Sequence, residues 1–231
     1  MICIRCGRAH DERVERCVCG YTFAGVVTEA LPAWYEEYCS LIEAAYLPAP
    51  TPWQQSGQSG TYEEWARLRI PICEAIERSG SFLDIGCANG FLLECLRGWT
   101  KAKGLDMTLY GLDLSPALIK LARERLSWVR DHRLTVGNAL DWTPPLRFDY
   151  VRTSLEYVPR NWQRKYLTRL LDQFLTKDGV LLVAQYRSRK EDRSHEWIDD
   201  LLQELGFHVD GITRGFDSNG LERTRVAIIK K

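Results

Sequence analysis

The segment Phe82-Leu83-Asp84-Ile85-Gly86-Cys87-Ala88-Asn89-Gly90-Phe91 joins an apolar run, a carboxylate and a loop of small residues. Gly86 and Gly90 permit backbone angles closed to other residues, so a ligand can approach the main chain closely there. Asp113 ends the next apolar run, in Leu109-Tyr110-Gly111-Leu112-Asp113-Leu114-Ser115-Pro116. A carboxylate so placed can accept hydrogen bonds from both hydroxyls of a ribose. After a third run comes Gly137-Asn138-Ala139-Leu140-Asp141, where Asn138 offers an amide to an adenine edge. Leu114 and Ala139 offer apolar faces. Taken singly these are a glycine turn and a solvated strand end; in this order, after successive strands, they point to a nucleoside.

A second cluster has the spacing of a metal site. Cys3-Ile4-Arg5-Cys6-Gly7 and Cys17-Val18-Cys19-Gly20-Tyr21 form a C-x2-C and a C-x-C pair. Two short turns of this kind can present four thiolates to one tetrahedral ion. The expectation is one zinc held by Cys3, Cys6, Cys17 and Cys19, with His10 able to replace one ligand; the bland alternative is four buried thiols or a redox pair. Cys39, Cys73, Cys87 and Cys95 lack paired spacing and read as packing residues.

Alternating strands and helices must position these groups. Strands are expected at Phe82 to Ile85, Leu109 to Leu112, Leu134 to Val136, Phe148 to Ser154, Val180 to Tyr186, Phe207 to Thr213 and Thr224 to Ile229. Helices fit at about 32–47, 61–78, 90–98, 115–129, 161–175 and 195–205, with Ser115 and Pro116 suited to start one of them. This alternation implies an α/β, doubly wound, mostly parallel seven-stranded sheet. The turn Asp217-Ser218-Asn219-Gly220 makes its last two strands an antiparallel C-terminal hairpin. The expected units are a zinc-ribbon-like knuckle at 1–27, a helix with a Pro/Gln/Ser/Gly-rich linker or loop at 28–60, and the α/β domain at 61–231.

As a set, these motifs resemble the class I S-adenosylmethionine-dependent methyltransferases over about 61–231. Asp84-Ile85-Gly86-Cys87-Ala88-Asn89-Gly90 is similar to their D-x-G-x-x-x-G signature, with Ala88 where many members carry glycine. Gly111 to Pro116 resembles their second-strand motif, and Gly137-Asn138-Ala139 their adenine-contacting segment, with Asn138 for the commoner Asp. Phe148-Asp149-Tyr150-Val151 with Leu155-Glu156-Tyr157-Val158-Pro159 resembles the fourth-strand motif, and Lys177-Asp178-Gly179 the turn before strand five. The resemblance implies S-adenosylmethionine as cofactor. Asp84, Gly86, Cys87, Ala88, Asn89 and Gly90 would surround its methionine end. Asp113 would bind its ribose, Leu114, Asn138 and Ala139 would contact its base, and Tyr62 and Trp65 would form a lid. Glu156 and Tyr157, just past strand four, are the catalytic candidates; the alternatives are a helix-entry carboxylate and a core aromatic. A nicotinamide cofactor is disfavoured, since no G-x-G-x-x-G cradles a pyrophosphate.

The acceptor is less legible. No Asn/Asp/Ser-Pro-Pro-aromatic segment and no Pro-Cys follows strand four, which in this family disfavours nucleobase amino-group and cytosine-carbon methylation. A knuckle before such a domain resembles some ribosomal-RNA methyltransferases. Arg147, Arg152, Arg160, Arg164, Lys165 and Arg169, with Arg187, Arg189, Lys190 and Arg193, could form a basic face, diluted by Asp149, Glu156, Asp172, Glu191 and Asp192. Lysine plus arginine and aspartate plus glutamate both number 31 among 231 residues, so the net charge is zero. That favours a small-molecule acceptor over rRNA or tRNA. A non-catalytic binding module with a protein-docking knuckle is the third reading. His195 reads as a cap or surface residue. No apolar run spans a membrane and the opening residues lack a signal-peptide core, so a cytoplasmic location is expected; oligomeric state is not legible.

Overall fold

The computed structural model describes residues 31–187 and 196–231. The cysteine pairs, His10, Arg189, Lys190, Arg193 and His195 lie outside the described residues. In chain order the elements are α1 (Leu31–Tyr46), α2 (Tyr62–Glu74), β1 (Gly80–Ile85), α3 (Phe91–Ala102), β2 (Met107–Asp113), α4 (Pro116–Arg125), β3 (Leu134–Val136), β4 (Phe148–Thr153), α5 (Arg160–Arg169), β5 (Leu175–Tyr186), α6 (Ile198–Glu204), β6 (Gly211–Phe216) and β7 (Glu222–Lys230).

The strands form one sheet in the order β3-β2-β1-β4-β5-β7-β6. The first five are parallel; β7 pairs antiparallel with both β5 and β6. The chain winds outward from β1 to β3, then returns to lay β4 on the other side of β1. The carboxyl ends of β1 and β4 therefore flank the crevice where ligands of open α/β sheets bind. Buried residues alternate across the sheet, so it has two apolar layers. Phe82 belongs to one layer with Ile72, Leu93 and Leu96, while its neighbour Leu83 belongs to the other with Val151, Leu167 and Leu181.

Local chemistry sets the helix starts. Thr61 and Glu64 form a reciprocal capping box on α2, and the Ser115 hydroxyl accepts the Leu118 N–H at the start of α4. Helix α2 ends at Glu74, short of the expected 78. Pro71 has no N–H to give, and the Lys103 ammonium takes the carbonyls of Cys73 and Ile76 at 2.8 and 2.6 Å. Helix α4 closes at Arg125, and α5 gives way to a π turn at Leu170–Phe174. Strand β6 starts later than Phe207, because the Phe207 N–H turns back to Leu202 and pairing begins with Gly211 opposite Ile228. The hairpin turn is held by Asp217, whose Oδ1 accepts the N–H groups of Asn219 and Leu221.

Leu182, fully buried in β5, couples the sheet to the layer under α2 and α3. Leu182→Ala should destabilise the fold by about 2–5 kcal/mol through lost burial and a residual cavity. Chemical denaturation with unchanged far-ultraviolet dichroism at zero denaturant checks this.

Candidate functional site

The turn from β1 into α3 is built for close approach. Gly86 and Gly90 both have φ of 75°, and Gly90 precedes the first turn of α3. A Cβ on Gly86 would meet the Tyr157 ring at 2.9 Å. Ala88 also adopts a left-handed conformation, at φ 47°, which is costly for a residue with a Cβ and explains why glycine is usual there. Its N–H donates to Asp113 Oδ2 at 2.8 Å, while Asp113 Oδ1 accepts the Ser115 N–H at 2.9 Å. The Asp113 carboxylate is thereby fixed at the end of β2. Burial pushes its pKa up, and the N–H groups of Ser115, Ala88 and Leu114 pull it down.

A cavity of about 490 Å³ opens along the carboxyl edge of the sheet, within the usual size range of small-molecule sites. Asp84, Gly86, Cys87, Ala88, Asp113, Leu114, Asn138, Ala139, Trp65, Glu156 and Tyr157 all line it. Three other sequence candidates sit elsewhere. The fully buried Asn89 donates from Nδ2 to Pro52 O at 2.9 Å and to Gln55 Oε1 at 3.1 Å, fastening residues 52–55 over the loop. Gly90 shapes the turn without facing the cavity, since its missing Cβ points at Leu126 and Ala122. Tyr62 is exposed and stacks on Trp65 from outside at 6.4 Å.

Helix α1 crosses the cavity with an aromatic face. Trp34 stacks on Tyr38 at 5.4 Å, Tyr38 meets Tyr157 edge-on at 6.5 Å, Tyr35 reaches Asn138, and Glu43 is hydrogen-bonded to the Ser115 hydroxyl. The segment read as a linker continues this cover: Trp53 donates to Gly60 O at 3.0 Å and Trp65 to the Ser56 hydroxyl at 2.9 Å.

Charged groups concentrate below this cover. Asp84 is 1% exposed and pairs with Arg152 Nη1 at 3.0 Å, yet its second oxygen, Oδ2, has no hydrogen-bond partner. Burial pushes its carboxyl up to about 6, against the pull of Arg152. Arg152 also donates to the Tyr186 hydroxyl at 3.1 Å. Its place in an exposed basic face is thereby corrected: β4 turns it inward, where Asp84 neutralises it. Arg187 is likewise buried, stacked on Trp197 at 3.5 Å.

Arg69 of α2 is the functional candidate that sequence reasoning missed. It is 7% exposed, lies 3.6 Å over the Tyr186 ring, lines the cavity, and leaves Nη1 without a hydrogen-bond partner. Burial lowers its pKa. The available signal was an arginine on the apolar side of a helix, among Leu68 and Ile72.

Glu156 and Tyr157 divide. Glu156 opens onto the cavity with its side chain exposed there; desolvation by the surrounding protein raises its pKa, while Arg152, Arg69 and a hydrogen bond with Ser154 pull it down. The Tyr157 hydroxyl is engaged: it donates to Ile85 O at 2.6 Å, accepts the Ser154 N–H at 2.8 Å and meets the Thr153 hydroxyl at 2.8 Å.

The described residues include no group of three or more His, Cys, Asp or Glu side chains arranged to hold a metal, and no helix long and apolar enough to cross a membrane.

A family model described as a methyltransferase domain matches residues 58–222. No curated protein matches the chain significantly. Among solved structures, phosphoethanolamine N-methyltransferase 1 of Haemonchus contortus, bound to phosphoethanolamine and S-adenosylhomocysteine, has a TM-score of 0.62 and 14% identity, over 86% of this chain and 49% of its own. The chain thus spans about half of that protein. The N-methyltransferase NodS of Bradyrhizobium japonicum, bound to S-adenosylhomocysteine, has a TM-score of 0.58 and 16% identity, over 84% of this chain and 97% of its own. The 1,6-didemethyltoxoflavin-N1-methyltransferase of Burkholderia thailandensis has a TM-score of 0.59 and 15% identity, over 91% and 94%.

Because its carboxyl is pushed up, Asp84 binds a proton more tightly in the folded chain than in the unfolded one, whose ordinary value is 3.8. Its favourable contribution is greatest at low pH and is lost as pH rises through about 6. The stability of the native protein relative to Asp84→Asn should therefore fall between about pH 4 and 7. Urea titrations at each pH check this, and a difference that grows with pH contradicts it.

Proposed function

The chain belongs to the methyltransferase-domain family and is an S-adenosylmethionine-dependent methyltransferase, and we propose that it methylates a small molecule held beside Glu156. The observation that carries this reading is the cavity at the carboxyl edge of the sheet, partly covered by α1 and residues 52–58. Such a space suits a cofactor and a compact acceptor better than a nucleic-acid helix. The neutral net charge and the inward burial of Arg152 and Arg187 agree, since a basic nucleic-acid surface loses both. Two of the structural neighbours are described with small-molecule acceptors, phosphoethanolamine and 1,6-didemethyltoxoflavin.

Within this reading each end of the cofactor has a partner. The Asp113 carboxylate, with two backbone N–H groups behind it, accepts the ribose hydroxyls. Leu114 and Ala139 flank the base, and Asn138, linked to Tyr35, reads its edge. The methionine end is a zwitterion: its ammonium fits the unpartnered Asp84 Oδ2, and its carboxylate fits Arg69 Nη1. Gly86, Cys87 and Ala88 let it approach the backbone, whereas Asn89 and Gly90 act by holding the loop and its cover. Trp65 walls the pocket and Tyr62 supports it. S-adenosylmethionine supplies an activated methyl group, so the chain's task is to position a nucleophile and remove its proton. Glu156 is the group for that proton. Tyr157, with its hydroxyl committed to Ile85, Ser154 and Thr153, acts by positioning.

A zinc ion bound by Cys3, Cys6, Cys17 and Cys19 is a separate proposal. It rests on sequence spacing, because residues 1–27 have little apolar surface to bury and four thiolates on one ion would supply the missing folding energy.

Asp113→Ala should weaken S-adenosylhomocysteine binding by about 1.5–3 kcal/mol, roughly 10- to 150-fold, with the fold intact. Calorimetry checks this, and unchanged affinity removes Asp113 from the site. Nuclease treatment of an extract supplied with labelled cofactor should leave methyl incorporation unchanged; its loss would favour RNA. Protein purified without added metal should carry one zinc per chain by elemental analysis. Absence of metal, or its retention after all four cysteines become serine, refutes the zinc site.

A further inference from the structure

The turn after β3 carries Asn138, and its hydrogen bonds fix which side of the amide faces which way. Asn138 Oδ1 accepts the Leu140 N–H at 3.0 Å. A backbone N–H bonds only to the oxygen of a side-chain amide, so this contact sets the orientation of the group and sends Nδ2 to the other side. The turn itself is held firmly. Asn138 O accepts the N–H groups of Asp141 and Trp142 at 3.1 and 2.7 Å. The Arg169 guanidinium takes Ala139 O at 3.1 Å and Trp142 O at 2.9 Å. Asn138 and Ala139 line the cavity beside Leu114, and Tyr35 of α1 lies against the Asn138 amide.

The rim so formed is poor in acceptors and offers a donor. Asn138 Oδ1, Asn138 O and Ala139 O are all engaged by N–H groups of the protein. Asp141, the next carboxylate along the chain, does not line the cavity. Asn138 Nδ2 carries two hydrogens; one is directed to the Tyr35 hydroxyl and the other is available to a ligand. From this geometry we infer that Asn138 determines specificity for the base of the cofactor: it donates from Nδ2 to a ring nitrogen of adenine and leaves the exocyclic amino group unread. This rests on the reading of the cavity as the S-adenosylmethionine site.

The chemistry of the amide makes this selective. Adenine presents lone pairs at its ring nitrogens and N–H bonds at its exocyclic amino group. An aspartate in the same turn would keep the Leu140 bond with one oxygen and present the other as an acceptor, which suits the amino group. The nitrogen of Asn138 stands in that place and suits a lone pair instead. The exchange of one atom thus changes the recognised group from a donor to an acceptor.

The test is calorimetry on the full chain and on Asn138→Ala. The probes are S-adenosylhomocysteine, its analogues in which a C–H replaces one ring nitrogen of the base, and the analogue that lacks the exocyclic amino group. One ring-nitrogen analogue should bind the native chain roughly 5- to 10-fold more weakly than S-adenosylhomocysteine, and that loss should disappear in Asn138→Ala. Removing the amino group should change affinity by the same factor in both proteins. A residue that merely shapes the turn would weaken every probe alike and couple to none. Absence of coupling to any ring nitrogen overturns the proposal, as does coupling to the amino group. Asn138→Asp keeps the Leu140 bond and covers the case in which the alanine variant fails to fold. It should bind S-adenosylhomocysteine more weakly than the native chain, and equal or tighter binding overturns the proposal. Failure of the native chain to bind S-adenosylhomocysteine would instead remove the underlying reading of the cavity.

Discussion

The site depends on a carboxylate buried where the sheet reverses direction. Asp84 lies on the central strand, 1% exposed, with one oxygen on Arg152 and the other on nothing. Removing a carboxylate from water is expensive, and a single ion pair compensates only part of the cost. The remaining deficit shows in its raised proton affinity. A ligand that brings a positive group to Oδ2 relieves it. Arg69 carries the opposite deficit across the same cavity, a guanidinium lying on the Tyr186 ring with one amino group unsatisfied. In the proposed function the chain holds two unmet charges of opposite sign for one zwitterion.

The surrounding fold keeps these groups in place. Parallel pairing of β1 with β4 sets Asp84 beside Arg152 in register, and Tyr186 at the end of β5 receives both arginines. The strained Ala88 persists because its N–H is held by Asp113 and Asn89 ties the loop to residues 52–55. Strain concentrated at one loop and opposed by hydrogen bonds from two sides is the expected form of a preorganised binding turn. The cover above is made mainly of aromatic rings, while the hydroxyl of Tyr35 and the indole of Trp65 still find polar neighbours.

Much of this was legible in the sequence. Short apolar runs ending in Gly86, Asp113 and Gly137 placed the strands and their carboxyl edge, and the Asp217–Gly220 turn placed the C-terminal hairpin, since this punctuation is local. The elements that escaped depend on contacts distant in sequence. Strand β6 starts later because α6 closes through Phe207, and α2 ends early because Lys103, from beyond α3, takes its carbonyls. Arg152 looked like a surface charge and Arg69 went unread, because composition cannot show that β4 points one arginine inward or that Tyr186 offers a ring to the other. Residues 48–60 read as a linker or loop from their proline, glutamine, serine and glycine content; the tie from Asn89 is a tertiary contact with no local signature. Asn89 and Gly90 were matched by motif and Tyr62 by its place before the first strand, yet none of the three faces the cavity.

The central claim is that the two unmet charges receive the methionine end of the cofactor. A crystal structure of the chain with S-adenosylhomocysteine tests it most directly. The account predicts the ligand carboxylate within hydrogen-bonding distance of Arg69, its ammonium on Asp84 Oδ2 and its ribose hydroxyls on Asp113. A ligand whose carboxylate lies away from Arg69, with Asp84 Oδ2 still unpartnered, would contradict it.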